Sequence, residues 1–223
     1  KNVSMKDSGI EWIGEIPEEW DVSKIKYSLI LMGSGSTPDS SNPLNYDGEI
    51  NWIQSGDLYG KSYITETEKT ITKYALHGNK SLKRYIAPFV VVAMYGASVG
   101  NIALSQIDSY TNQACCVMKG DNSLDNKYLY YFLIANKHEM LMLAIGGTQP
   151  NISQQLIKNL TIIIPKFNDQ LEIVEFLDKK CSEIDSVISK KERQLDLIKG
   201  HRKSLIYEYV TGKKRVGGLE NDN

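Results

Sequence analysis

Apolar residues recur along the chain in two rhythms, and the change falls near Pro165. Before it, short runs rich in β-branched and aromatic residues are separated by turn-forming glycines and prolines: Ile50–Ile53, Tyr85–Tyr95, Ile102–Leu104, Ala114–Met118 and Leu160–Ile164. Runs of this kind predict strands. Phe89–Met94 is apolar throughout, which predicts a strand buried on both faces. One helix is expected among them, from Asp125 to Ala144. Its apolar positions Leu129, Phe132, Leu133, Met140 and Leu143 share a helical spacing, and Gly146-Gly147 would stop it. The fold class predicted for this part is α+β, with a mixed sheet.

After Pro165 the rhythm is helical and uninterrupted, with no Gly or Pro between Lys166 and Lys199. Asn168 or Asp169 can cap the start, Glu172 sits in the first turn, and Gly212 follows Val210 as a stop. Some 42 residues at ~1.5 Å each make a rod on the order of 60 Å long. A 3–4 seam runs through Val174, Leu177, Cys181, Ile184, Ile188, Lys191, Leu195, Ile198, Arg202, Leu205 and Tyr209. Nine of these eleven are apolar, against a chain average of 41%. That predicts a dimerising coiled coil with Val174, Leu177, Cys181, Ile184, Ile188, Leu195, Ile198 and Leu205 at the interface. The alternative is an amphipathic helix lying on its own domain. The expected organisation is 1–165 as a globular domain, 166–212 as the long helix and 213–223 as a flexible tail.

Charge refines this reading. Residues 168–187 carry a net −4 and residues 188–215 a net +6. Parallel pairing would set like charges together, and antiparallel pairing sets each acidic half against a basic one. The other explanation, complementing the helix dipole, reaches only about one turn from each end. Lys191 near mid-seam would approach its own copy in a symmetric register, so either the register is offset or Glu192 neutralises it.

Composition narrows the class. At ~150 residues per domain, 223 residues give one sizeable domain plus something extra. Lys+Arg total 26 and Asp+Glu 27, a balance that excludes a histone-like or tail-driven nucleic-acid binder but not a neutral protein with a basic face. Three cysteines, two of them the adjacent Cys115 and Cys116, cannot build a disulfide framework, and no CxxC suggests a metal site. The cysteine pair is expected in a core strand. No apolar run approaches the ~20 residues of a membrane span, so a cytoplasmic protein is expected, with no membrane partner.

Catalytic patterns are weak. Asn42-Pro43-Leu44-Asn45-Tyr46 lacks the second proline of an amino-methyltransferase motif, and Gly33-Ser34-Gly35-Ser36 leads into a turn. No phosphate loop occurs, and His77, His138 and His201 lie far apart. A binding surface is better supported. Residues 69–84 hold Lys69, Lys73, Lys80, Lys83 and Arg84 with no acid, interleaved with Tyr74 and His77, which suits phosphate contacts. Gln54, Ser55, Tyr59 and Lys61 on one polar segment, and Tyr95 and Ser98 on another, are candidates for base edges. Asn and Gln pair bidentately with adenine, and Lys or Arg with guanine. Asp57 is the weaker candidate, a carboxylate that phosphates repel unless it accepts from a cytosine amine, and capping a local turn is an equal alternative.

The order of motifs adds a family. Gly9-Ile-Glu-Trp-Ile-Gly-Glu-Ile-Pro-Glu-Glu-Trp20 is followed by Gly35-Ser-Thr-Pro38, Trp52…Gly56-Asp-Leu58, Tyr95-Gly-Ala-Ser-Val-Gly-Asn101 and Thr111-Asn-Gln113. Then come Gly146-Gly-Thr-Gln-Pro-Asn-Ile-Ser153, Ile163-Ile-Pro165, Gln170 and a closing Leu205-Ile-Tyr-Glu-Tyr-Val-Thr-Gly212. Almost the whole chain resembles one target recognition domain plus one conserved helical region of a type I restriction-modification specificity subunit. One departure is Pro165-Lys-Phe-Asn-Asp-Gln170, which lacks the family's usual acidic, proline-rich entry.

The resemblance implies a non-catalytic subunit that reads double-stranded DNA. It would do so for a methyltransferase subunit using S-adenosylmethionine and for a restriction subunit using ATP and Mg, with no cofactor or metal bound by this chain itself. Full-length members carry two such halves around a pseudo-twofold. This chain is therefore expected to be a half-size subunit or a fragment, pairing with itself as an antiparallel homodimer or with the second half of a longer chain. The start at Lys1-Asn-Val-Ser is expected to be cut from something longer. The rival readings are a recognition fragment of a fused methyltransferase-nuclease and a coiled-coil adaptor without a DNA role.

Overall fold

The computed structural model describes residues 3–144 and 151–216. In chain order the elements are β1 (Met5–Asp7), β2 (Glu15–Pro17), β3 (Asp21–Lys24), β4 (Leu29–Ser34), β5 (Tyr46–Ile53), β6 (Tyr63–Ile64), β7 (Thr70–Ile71) and α1 (Lys73–Gly78). They continue with β8 (Phe89–Ala93), β9 (Ile102–Ser105), β10 (Tyr110–Thr111), β11 (Cys115–Gly120), α2 (Asn126–Ala135), α3 (Lys137–Met142), α4 (Gln154–Asn159), β12 (Thr161–Ile164) and α5 (Phe167–Val210). The chain divides into a compact unit through Val174 and a second unit from Glu175.

The apolar run at Phe89 becomes the centre of a five-stranded sheet, ordered β4-β11-β8-β9-β6. All its pairs are antiparallel except β6 with β9. Every β8 side chain is buried, as two-sided burial requires. Alternation then sorts them. Val90 and Val92 join Cys116, Met118 and the α2 residues Leu129 and Leu133 in one core. Phe89, Val91 and Ala93 join Cys115 and Val117 in a second, closed by Ile53, Leu58, Ile64 and Tyr85. The adjacent cysteines thus face opposite cores. A smaller sheet, β10-β5-β7, mixes parallel and antiparallel pairs and packs on α1 through Trp52, Ile71 and Ala75. The α+β, mixed-sheet expectation holds.

Four local expectations change. The helix expected over Asp125–Ala144 is two helices. Asp125 caps α2 by accepting from the Lys127 and Tyr128 N–H groups. Buried Asn136 then turns its amide onto the Phe132 carbonyl at 3.2 Å and interrupts the run. The break changes the phase, so Met140 stays buried while Leu143 is exposed. The Gly146-Gly147 stop lies outside the described residues. The strand expected over Tyr85–Tyr95 is shorter, because Pro88 has no N–H for a ladder. Tyr85 makes only an isolated bridge to Ser109. The short helices α1 and α4 were not expected, although Thr72 and Ser153 cap them through side-chain hydroxyls.

The fourth change concerns the long helix. Gln170 is fully buried. Its Oε1 accepts the Asp125 N–H at 2.9 Å, and its Nε2 donates to the Ser123 and Pro165 carbonyls, each at 2.8 Å. Val174, one turn on, lies in the domain core and not in a seam. The spacing is the same for both environments, which is why periodicity placed it wrongly. The compact unit therefore runs beyond Pro165 into α5.

From Lys179 to Tyr207 every side chain is exposed. These include the seam residues Cys181, Ile184, Ile188, Leu195, Ile198 and Leu205, while Leu177 is half-buried. The ion pairs Lys180–Glu183 and Asp196–Lys199 lie on this surface and contribute little. Gly212, at φ 72°, ends the helix in the left-handed conformation a non-glycine residue adopts at a cost. At ~1.5 Å per residue its 44 residues span about 66 Å.

Two outcomes follow from this packing. Gln170→Ala strands three backbone groups and is expected to cost about 2–4 kcal/mol in denaturant melts, well above an exposed control such as Gln194→Ala. Burial pushes the Cys116 thiol up to about 12, and Cys115 is raised further. A thiol-reactive probe at pH 8 should therefore modify exposed Cys181 quickly, while Cys115 and Cys116 react only on unfolding. Fast labelling of all three would contradict this core.

Candidate nucleic-acid interface

Three of the sequence motifs fold together to build a surface. Gly35 approaches the Thr111 backbone so closely that an added Cβ would sit 1.7 Å from the Thr111 oxygen, so no other residue fits. The Ser36 N–H donates to that same oxygen at 3.0 Å, and the Trp52 indole donates to the Ser36 carbonyl at 3.2 Å. Tyr46 donates to the Pro38 carbonyl at 2.8 Å, and Asn79 reaches Ser36 and Thr37. Thr37 donates to the Gln113 side-chain oxygen at 2.5 Å. Gly-Ser-Thr-Pro38 is thereby clamped between the Trp52 strand and Thr111-Asn-Gln113.

The neighbouring turn is fixed by Asp57, which is buried. Its Oδ2 accepts the Gln54 N–H at 2.7 Å and its Oδ1 the Glu68 N–H at 2.9 Å. The carboxylate thus holds two segments together, which is the capping alternative of the two the sequence left open. Gln54 is left with its side chain partly exposed in a concavity of about 350 Å³, shared with Thr37, Ser40, Tyr46, Asp47 and Lys69. Amide, hydroxyl, carboxylate and ammonium groups converge there, and Thr37 and Ser40 escaped the sequence reading. The Gly-Ser-Thr-Pro motif was the only signal for Thr37, and Ser40, two residues beyond it, had none. Ser55 is half-buried beside Gln54, while Tyr59 is 75% exposed and Lys61 is exposed on the same loop.

The basic stretch is surface throughout: Lys69, Lys73, Lys80, Lys83 and Arg84 are all exposed. Lys73, His77 and Arg84 border a second concavity of about 600 Å³ with Glu49 and Asn51. Lys80 and Lys83 border neither hollow. Arg84 is ion-paired with Asp108 at 2.9 Å. The Ala87 N–H and the Arg84 guanidinium together hold the Asp108 carboxyl below the usual carboxylate range.

Tyr95 and Ser98 do not join this surface. Gly96, at φ 85°, starts the turn linking β8 to β9, closed by the Gly100 N–H on the Ala93 carbonyl at 2.9 Å. Ser98 is buried within it, and Tyr95 packs half-buried on the core, its phenol raised by desolvation and by Cys115. The motif they belong to is a structural hairpin, and Asn101 at its end accepts from Lys137 at 3.0 Å. Small polar residues beside glycine look alike in sequence whether a turn faces outward or folds back.

Among the described residues no three His, Cys, Asp or Glu side chains cluster as metal ligands, and no helix is long and apolar enough to cross a membrane. Residues 17–196 match the model of the type I restriction modification DNA specificity domain. The type I restriction enzyme MjaIX specificity subunit of Methanocaldococcus jannaschii is 30% identical over 190 residues, which is 83% of this chain and 42% of the relative. The EcoR124I/EcoR124II specificity subunit of Escherichia coli is 25% identical over 205 residues, 87% of this chain and 46% of that one. The chain thus spans less than half the length of these relatives. Its fold is shared with the HsdS subunit from Thermoanaerobacter tengcongensis, with a TM-score of 0.61 at 16% identity over 82% of this chain and 41% of that one. It is shared also with a chain of a type I R-M system, with a TM-score of 0.71 at 16% identity over 86% of this chain and 46% of that one. From its second strand well into its long helix, the chain belongs to the type I restriction modification DNA specificity domain family.

Proposed function

We propose that this chain reads one part of a bipartite DNA target in the cytoplasm and does no chemistry itself. It directs a methyltransferase subunit, which uses S-adenosylmethionine, and a restriction subunit, which uses ATP and Mg. The observation that carries this reading is the convergence of Gln54 and Lys69 in one hollow, with Thr37 and Ser40 beside them. An amide able to pair two-fold with adenine stands next to a cation able to hold a phosphate, and both sit on a backbone clamped by Asp57 and Gly35. Lys69, Lys73, Lys80 and Lys83 supply the phosphate contacts, and Ser55, Tyr59 and Lys61 flank the reading loop.

The long helix sets spacing by pairing antiparallel with a second copy or a second half. Half-sites one turn apart lie ~34–36 Å centre to centre, within the reach of a helix of about 66 Å. Its support is the stripe of exposed Ile184, Ile188, Leu195 and Ile198, which water does not favour, and the opposite charge of the two halves. Val174 takes no part.

The decisive experiment co-purifies the chain with its methyltransferase subunit and maps methylated adenines on DNA. A split, sequence-defined pattern is expected, with none from either component alone. Methylation by this chain without a partner, or at no defined sequence, would overturn the reading. Within that complex the two groups of residues should fail differently. Lys80→Ala with Lys83→Ala should weaken all duplexes alike and lower the salt slope by ~1 per contact. Gln54→Ala should leave non-specific binding intact and cost about 1–3 kcal/mol at the cognate site, at one base pair.

For the helix, Ile188→Asp with Leu195→Asp should yield monomers in sedimentation equilibrium while the near-ultraviolet circular dichroism of the globular unit persists. A double variant that sediments like its parent would remove the seam as the interface.

A further inference from the structure

Arg84 belongs to the basic stretch, yet its surroundings are not those of a phosphate clamp. Its Nη2 donates to Asp108 Oδ2 at 2.9 Å. Asp108 is itself immobilised: its Oδ1 accepts the Ala87 N–H at 2.9 Å, and its carbonyl accepts from the Asn51 amide at 3.2 Å. The next residue, Ser109, exchanges both backbone hydrogen bonds with Tyr85, at 2.8 and 3.1 Å. Asp108 is therefore a fixed post. Arg84 leans on it with a side chain still 61% exposed, and the single contact to Asp108 leaves most of its five N–H donors open.

A carboxylate at this distance cancels much of the charge a phosphate would feel. It leaves intact what a base edge requires, a planar donor fork held in one orientation. The hollow beside Arg84 is balanced in the same way. Lys73 and Arg84 face Glu49 and Asp108, two full charges of each sign. One lining hydroxyl, Ser109 Oγ, is buried and makes no hydrogen bond.

We propose that Arg84, braced by Asp108, is a specificity-determining residue that reads the O6 and N7 acceptors of a guanine, an inference resting on the DNA-reading function proposed above. Asp108 is a positioning residue that touches no DNA. The other lysines of the stretch keep the phosphate role, because no acidic side chain is ion-paired with Lys69, Lys73, Lys80 or Lys83 among the described residues.

The test uses the complex of this chain with its methyltransferase subunit. The probe is a randomised duplex library, selected and sequenced, with a random-sequence duplex titrated at stepped salt in parallel. The parent should select a motif containing a G·C pair that depends on Arg84. Arg84→Lys keeps the charge and loses the fork. It should lower discrimination at that one pair roughly 5- to 150-fold, leave the other positions unchanged and leave the salt slope on random duplex as it was. Asp108→Asn keeps an acceptor for Ala87 but frees the arginine. It should weaken the selected site while binding random duplex as well as the parent or better, two changes of opposite sign. A phosphate contact predicts otherwise. Arg84→Lys would then select the parent motif, Arg84→Ala would lower the salt slope by ~1, and Asp108→Asn would tighten both duplexes together. Any of those three results overturns the proposal. A purely structural ion pair would lower the melting temperature in both Arg84→Lys and Asp108→Asn while every position of the motif survives, and this too overturns it. A parent complex that selects no sequence overturns the DNA-reading function first and this inference with it.

Discussion

A strand without a polar side chain has to be covered twice, and most of this fold answers that demand. Phe89 to Ala93 runs through the middle of the five-stranded sheet with every residue buried. One face is covered by regular structure, chiefly α2, whose backbone satisfies itself. The other is covered largely by loops, the short β6 and the end of β5, which carry Ile53, Leu58, Ile64 and Tyr85. Irregular backbone packed on a core must find hydrogen-bond partners one by one, because unpaired polar groups there cost as much as lost hydrogen bonds.

That requirement explains how the candidate surface is built. Asp57 spends both carboxylate oxygens on backbone N–H groups of the covering loop, and Tyr85 donates to the Ser34 carbonyl at 3.0 Å. Gly35 lets two backbones meet where any side chain would collide. The buried members of these motifs are structural, and their rigidity serves the exposed ones. Gln54 and Thr37 project from segments whose backbones have little freedom left, so a ligand met by them need not pay to order a loop. Arg84 repeats the arrangement on a second hollow, with Asp108 as its support.

The long helix is governed by a different balance. Within the compact unit, Gln170 and Val174 tie its first turns to the core. In the second unit, large apolar side chains such as Ile188 are about half exposed, and the ion pairs present are of the weak surface kind. Helical propensity and i,i+4 pairs hold such a rod only modestly, which is why its apolar stripe and its charge polarity are read as instructions for pairing.

The sequence by itself determined what depends on neighbours a few residues away. Two-sided burial of Phe89–Ala93, the strand character around Cys115 and Cys116, the extent of α5 and its stop at Gly212 were all legible as local composition and period, and the order of motifs carried the family. Tertiary structure alone decided the fate of individual polar and charged groups, because each is set by a partner far along the chain. Arg84 meets Asp108 at a separation of 24 residues, Asn51 reaches it from 57, and Thr37 reaches Gln113 from 76. Nothing in the local pattern distinguishes Ser98, folded inward on its hairpin, from half-buried Ser55 beside Gln54, or Val174 in the core from Ile188 exposed on the long helix. Periodicity reports that a face is apolar, whereas what covers that face is settled only when distant segments come together.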